Sequence, residues 1–468
     1  MASQGVVRGQ GTHTAVRRTV DRVDERFDER SSAPSGRAVS PSLSTGRAND
    51  ALIPFAEAVR FVLICLSIRP LWGEPMIARR RRVGLVVTAL LAAAAACQNH
   101  HREQQHAPPG RPAPSASHAA AEPGTAAPGA FTLVASGGIL PDPSVIDRAG
   151  FDGGGAGYDF RPMLEGARSV VSRADLALCH LDTAFGESTP YTGVLRHTPP
   201  PELAQALAAT GYDSCSTASE YTLDAGADGV RRTLEALDRT GVRHAGSARD
   251  EVEARGTLLR AGGATVAHLA YTAGSNGPLP PGQPWAVRLI DVGWIVADAR
   301  AARAAGADVV VLSLHWGPAW QEGPDEQQVA LARQLTASQT GGRPDIDLIL
   351  GTHAHVPQPY EKVNGTWVVY GAGDQIAGQP AGEPGPRDPR ARQSTLARFT
   401  FAPPDRPGGR WEVTRAEFVP GMFDSEAGRV VNVGEAIVRG ADLQGVRDRI
   451  QTVVFSRGAA KDGLVMGR

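Results

Sequence analysis

No charge excess marks this chain. Its 468 residues carry a formal net charge of -1, so nothing in the overall balance points to nucleic acid or to an anionic membrane surface. Cysteine is scarce, with 4 in the chain, and a C-x-x-C metal motif is absent. The apolar stretch from Val83 to Ala96 falls short of the roughly 20 residues that a membrane-spanning helix needs. Histidine is sparing as well, at 12 residues. That makes it informative that His315, His353 and His355 each stand just beyond an apolar run, in "VVVLSLHWG" and "ILGTHAHVP".

What is present near the start is a leader-like segment. Met76, four arginines at 79 to 82, the apolar stretch and then the small residues before Cys97 have the order of a secretory signal peptide over 76–97. Ala94-Ala95-Ala96-Cys97 resembles a bacterial lipobox, although leucine is missing three places before the cysteine. The expectation is an exported lipoprotein, lipidated on Cys97 and held by that anchor at the outer face of the cytoplasmic membrane. Ordinary signal-peptidase cleavage with a free Cys97 is the alternative. Residues 1–75 then read as an extension of the gene model upstream of the true start. Residues 98–130 are rich in proline, alanine and polar residues, a composition that cannot bury enough apolar surface to offset ordering, and so read as a flexible tether.

From Phe131 the pattern changes. Apolar runs closing in polar residues recur in "FTLVASGG", "ADLALCHLD", "DSCSTASE", "ATVAHLAY", "ADVVVLSLHWG" and "DIDLILGTHAHV", as buried strands of an α/β sheet do. Helical patterns lie between them: "PELAQALAATG", "DGVRRTLEALDRTG" and "DEQQVALARQL" each place apolar residues on one face, and the first two stop at glycine. The spacing predicts a layered α/β domain over 131–420, with 421–468 completing it.

Ligands in such domains sit beyond the carboxyl ends of the strands. Asp182, Glu220, His315, His353 and His355 close separate runs, so they are the expected convergent set. Three imidazoles and two carboxylates suit a divalent metal such as Mn, Zn or Fe. His180, His197, His244 and His268 read instead as hydrogen-bonded structure. Asp142 is a further acid that could reach the site from its loop, and Asp224 reads as an N-cap or turn residue.

The series "FTLVASGG", "LCHLDT", "TASEYTLDAG", "VVVLSLHWG" and "LILGTHAHVPQPYEKVNGTWVVYGAGD" resembles the CapA family of poly-gamma-glutamate capsule biosynthesis proteins, within the calcineurin-like metallophosphoesterase superfamily. The resemblance runs from about Phe131 to Val419. It implies a single-domain, four-layered α/β/β/α metallophosphatase-like sandwich and a one- or two-metal phosphoesterase-type centre. His315, His353 and His355 stand where the family's histidines stand. Three positions depart: Gly137-Gly138 replaces G-D, so a metal-bridging carboxylate is missing; Asp182 replaces a glutamate; and Ala218-Ser219-Glu220-Tyr221 replaces A-N-N-H. Asp374 occupies the place of the family's asparagine in Y-S-L-G-N-F.

Loss of the aspartate leaves the repulsion between two dications less compensated, and a tyrosine with an ordinary pKa near 10 cannot protonate a leaving group as imidazole does. Three functions are open to the sequence: a metal-dependent hydrolase of a phosphoryl or peptide-type bond in envelope polymers, a non-catalytic binding or assembly lipoprotein for an anionic polymer such as poly-gamma-glutamate that keeps the fold, and a structural lipoprotein without metal, against which His315 and the H-x-H pair argue. The first two would work with capsule-synthesis machinery. Cys179 and Cys215 are expected as a disulfide or as two buried thiols.

Overall fold

The computed structural model describes residues 129–468, apart from 195, 378–388 and 407. The upstream stretch, the leader with Cys97 and nearly all of the tether lie outside the described residues. Among the described residues no helix is long and apolar enough to cross a membrane.

The chain enters through β1 (Phe131–Leu140), then α1 (Pro143–Asp152), α2 (Arg161–Val171) and β2 (Leu176–Leu181). Next come α3 (Leu203–Thr210), β3 (Ser214–Ser216), α4 (Gly226–Thr240) and β4 (Arg243–Ala245). The middle segment supplies β5 (Thr257–Ala261), β6 (Ala264–Thr272), α5 (Val292–Ala304), β7 (Val309–His315), α6 (Glu326–Ala337) and β8 (Leu348–Thr352). A hairpin of β9 (Tyr360–Val363) and β10 (Thr366–Val369) leads to β11 (Asp374–Ala377). The chain closes with β12 (Gln393–Ala402), β13 (Glu412–Asp424), β14 (Arg429–Asn432), α7 (Val433–Val438), α8 (Gln444–Phe455) and β15 (Leu464–Met466).

Two sheets result. One runs β14-β13-β12-β1-β2-β3-β4, with β11 also on β1 and β15 on β13; the other runs β9-β10-β8-β7-β6-β5. Side-chain alternation along the strands assigns the layers. Phe131, Leu133 and Ala135 of β1 pack with Val309 and Val311 of β7 and Leu348 and Leu350 of β8 between the sheets. Val134 faces the other way, into a core with Met163, Leu164, Leu203, Leu207 and Leu237 of the helices. Likewise Val310, Leu312 and Leu314 of β7 pack on Ile295, Ala299, Ala332 and Leu335 of α5 and α6. The order helices, sheet, sheet, helices is the four-layered α/β/β/α sandwich. Because each sheet is covered on both faces, β2, β6, β7 and β8 are buried at every position, which is why they read as unbroken apolar runs.

Local signals agree with these elements. Gly211 and Gly241, at φ 106° and 81°, terminate α3 and α4 in the left-handed conformation that side chains disfavour. Asp325 and Gln328 form a reciprocal capping box at the start of α6. The last segment is less regular in sequence but not peripheral: Ile450, Val454, Ala459 and Leu464 join the core between the sheets, and β13 runs continuously through position 420.

Candidate metal centre

Strands β1, β2 and β3 are parallel, as are β6, β7 and β8. Their carboxyl ends bring Asp182, His315 and His353 to one side of the sandwich. Glu220 follows β3 on a turn, and β11 enters beside β1 with Asp374 in register with Gly138. On its other edge Gly138 is in register with His180. The crossing of β1 and β11 is close enough to require glycine: a Cβ at Gly137 would lie 1.7 Å from the Gly373 carbonyl oxygen.

Beyond β8 the chain turns sharply. His353 and His355 have φ of 87° and 57°, a region that costs a non-glycine residue on the order of 1–3 kcal/mol. Both imidazoles are thereby turned toward the strand ends, and their ring centroids are 5.7 Å apart.

Two overlapping groups emerge whose ligand atoms lie within 4.8 Å of one another: His180, Asp182 and His315, and Glu220, His315 and His353. Nε2 of His315 contacts Oε2 of Glu220 and lies 3.0 Å from Nδ1 of His353, which is itself 3.0 Å from the same Glu220 oxygen. Asp182 Oδ1 is 3.7 Å from His180 Nε2 and 3.9 Å from His315 Nε2. His355 belongs to neither group; its Nδ1 is 2.9 Å from Oδ2 of Asp374. Asp142 lies at the start of α1 and also belongs to neither. Asp224 sits in the turn before α4, where its carboxylate accepts from the backbone N–H of His197.

The expectation for His180 needs correction. It is hydrogen-bonded, as a structural histidine would be, but its partners place it inside the centre: Nδ1 is 2.6 Å from Ser216 Oγ and Nε2 is 2.9 Å from His315 Nδ1. A single histidine within a strand carries no periodic signal that separates this role from packing. His268 and His244 are hydrogen-bonded as expected; His197 departs from the expectation, its Nδ1 being buried without a hydrogen-bond partner among the described residues. His268 bridges Ser214 and Ser313 at 3.0 Å each, His244 pairs with Asp238, and His197 packs against Tyr221 with ring centroids 4.2 Å apart.

Electrostatics follow from this crowding. Burial penalises the Asp182 carboxylate, yet His315 and His180 more than offset it and hold its carboxyl well below the usual range. Glu220 is similar: burial opposes ionisation, and bonds to His315 and His353 win. For His315 burial wins over both acids, so the imidazole is held toward its neutral, ligand-competent form. Burial would lower His355 too, but Asp374 raises it to about 9. Burial and the carboxylates of Asp182, Glu220 and Asp374 push the Tyr221 hydroxyl well up, keeping it protonated.

The donor set fits a divalent metal on one independent observation. Both oxygens of Asp182 are buried and accept no hydrogen bond, although the residue is only 1 % exposed. An ionised carboxylate without hydrogen-bond donors is costly, and a cation among the same oxygens and imidazoles would satisfy it. On β2 and β3, Cys179 and Cys215 stand in register with Cα atoms 4.4 Å apart, and their sulfurs meet.

Residues 132–379, more than half of the chain, match the family described as bacterial capsule synthesis protein PGA_cap. The chain is 30% identical over 194 residues to the "probable polyglutamine synthesis accessory protein" of Mycobacterium tuberculosis, covering 38% of this chain and 48% of that one. It is 27% identical over 224 residues to the PGA biosynthesis protein CapA of Bacillus subtilis, covering 46% and 53%. It thus spans about half the length of these relatives. Among solved structures it is similar to a calcineurin-like phosphoesterase of Bacillus subtilis, at TM-score 0.34 and 11% identity over 69% of this chain and 98% of that one. With the matched residues running from β1 through β11, this chain belongs to the bacterial capsule synthesis protein PGA_cap family.

Proposed function

We propose that this protein is an exported, lipid-anchored component of capsule or envelope-polymer synthesis, with a divalent metal at the strand ends that engages an anionic polymer such as poly-gamma-glutamate. The proposed metal is Mn, Zn or Fe, and the proposed ligands are Asp182, Glu220, His315, His353 and His355. The observation that carries the reading is the buried, donor-free carboxylate of Asp182 facing two imidazoles.

A metal held there supplies Lewis acidity toward a phosphoryl or carbonyl oxygen and acidifies water. The chain's own residues have distinguishable tasks. Asp182 forms the buried floor, while Glu220 and His353, with side chains 18% and 23% exposed, border the solvent side where substrate enters. His180 fixes the ring of His315 through the Nε2–Nδ1 contact. Tyr221, kept protonated, can donate a hydrogen bond to an anion but does not exchange protons near neutral pH.

That last property favours a second reading, in which the centre binds a polymer or partner without turning it over. The test for both is metal analysis of the purified full-length protein after equilibration with Mn, Zn or Fe salts, followed by an aryl phosphate assay. At least one bound ion, lost in His315→Ala, is expected; a wild-type protein that binds none overturns the metal reading. Hydrolysis abolished by His353→Ala establishes the hydrolase, whereas bound metal without turnover establishes the assembly role.

A further inference from the structure

The loop between β7 and α6 presents a large aromatic side chain to solvent. Trp320 is 50 % exposed, yet its backbone is held in an uncommon conformation. Among the described residues, Trp320, His353, His355 and Asn364 are the non-glycine residues with positive φ, and the first three stand together. The N–H of Trp320 donates to the Ala354 carbonyl at 2.8 Å, between the two histidines of the H-x-H turn. Its ring lies against that of His355, with centroids 4.9 Å apart. A left-handed backbone at such a residue costs on the order of 1–3 kcal/mol, and an indole left half in water forgoes much of its burial. Packing does not account for the position.

The segment that follows the indole is fixed from two sides. Gln358 is fully buried, and its Nε2 donates to the carbonyl of Gln321 at 2.8 Å. Gln328, buried as well, donates in turn to Oε1 of Gln358 at 3.0 Å. On the outer side Glu322 accepts from Arg449 of α8 at 2.7 Å. The indole is thus held at the mouth of the centre, on the side that Glu220 and His353 border.

We propose that Trp320 is a polymer subsite, whose ring seats the methylene and amide stretch of a chain next to the unit whose carboxylate the metal holds. The inference rests on the function proposed above and deepens it, from an anionic polymer to a γ-linked polyamide. A metal draws a carboxylate, but charge is common to all anionic chains and does not distinguish them. A tryptophan face beside it adds contact with flat and apolar groups, and such rings carry a large share of binding energy where they meet a partner. The polar side chains adjoining the indole are already engaged within the protein: Gln321 with the Gly323 carbonyl, Glu322 with Arg449 and Gln358 with the loop backbone. They leave little to bond the hydroxyl groups of a sugar, so the subsite suits methylenes and amides.

The deciding experiment uses the full chain loaded with Mn²⁺ and measures affinity for a fluorescent poly-gamma-glutamate oligomer by anisotropy and for inorganic phosphate by calorimetry. Trp320→Ala is expected to weaken oligomer binding about tenfold or more, and Trp320→Phe, which keeps an aromatic face, by less. Phosphate affinity, bound Mn²⁺ and circular dichroism are expected to stay as in wild type. Unchanged oligomer affinity in Trp320→Ala overturns the inference. So does an equal loss for phosphate, which would mean that the ring acts only through His355. Polygalacturonate, a carboxylated polysaccharide, is the control chain: if Trp320→Ala weakens its binding and spares the oligomer, the subsite takes a glycan and the polyamide assignment falls. A wild type that binds phosphate through Mn²⁺ but no oligomer overturns the polymer reading beneath the inference, and one that binds no Mn²⁺ overturns the metal reading.

Discussion

Nε2 of His180 lies 2.9 Å from Nδ1 of His315, and the rings overlap with centroids 4.8 Å apart and planes 27° from parallel. With Ser216 Oγ on the far side of His180, this forms a hydrogen-bonded row that leaves only Nε2 of His315 to face Glu220 and His353. Removing the orienting partner of a ligating histidine typically weakens metal binding 10- to 100-fold. His180→Ala is therefore expected to lower Mn²⁺ affinity by that range in a chelator competition, with the number of ions unchanged. Affinity within twofold of wild type would show that His315 is oriented without it.

Metal binding should also appear as stability. A ligand present at about 100 times its dissociation constant adds about 2.7 kcal/mol to unfolding. EDTA is expected to lower the urea midpoint of wild type accordingly, and to leave His315→Ala unmoved. Equal responses of the two proteins would place the chelator's effect elsewhere.

His268 makes a separate pH prediction. Burial, with His180 and His244 nearby, depresses it to about 3, against about 6.5 in an unfolded chain. Below pH 6.5 the unfolded chain takes up a proton at this position that the folded protein refuses until about pH 3. Stability is thus full above 6.5 and falls as pH drops through that window, by up to on the order of 5 kcal/mol. Urea unfolding of His268→Gln between pH 7 and 4 should show a shallower decline than wild type. Parallel curves would rule out this histidine as a source of acid sensitivity.

The paired Cys179 and Cys215 predict a disulfide closing 36 residues. Cross-links over loops of such length stabilise by about 3–4 kcal/mol. Peptide mapping without reductant should recover the two cysteines joined, and reduction should lower the urea midpoint. Recovery of both as alkylated thiols would contradict the bridge.

Much of this was legible in the sequence because the two sheets are covered on both faces: β2, β7 and β8 had to be apolar throughout, and their ends had to carry whatever polar residues the site uses. His315, His353 and Asp182 followed from that alone. His180 did not, since a histidine inside such a run looks the same whether it packs or orients a ligand. Asp374 was visible only as a substitution; its meaning depends on register, and the pairing of Gly138 with a strand more than two hundred residues later leaves no local trace. The same registry alters the reversal that sequence comparison suggests. Gly138→Asp with Tyr221→His restores the familiar residues, but the first change collides with Asp374 unless that residue is shortened too.

The partnership of β1 with β11 has a consequence for how the protein can be cut. The first strand of the domain is completed at its far end by residues that are synthesised long after it, and the groups around the centre span 180 to 374. No amino-terminal fragment ending before His355 can contain all five proposed ligands, however well its own helices and strands form. Nascent chains must hold the early acids exposed until the late segment docks, so competence to bind is expected to arise in one step, at closure.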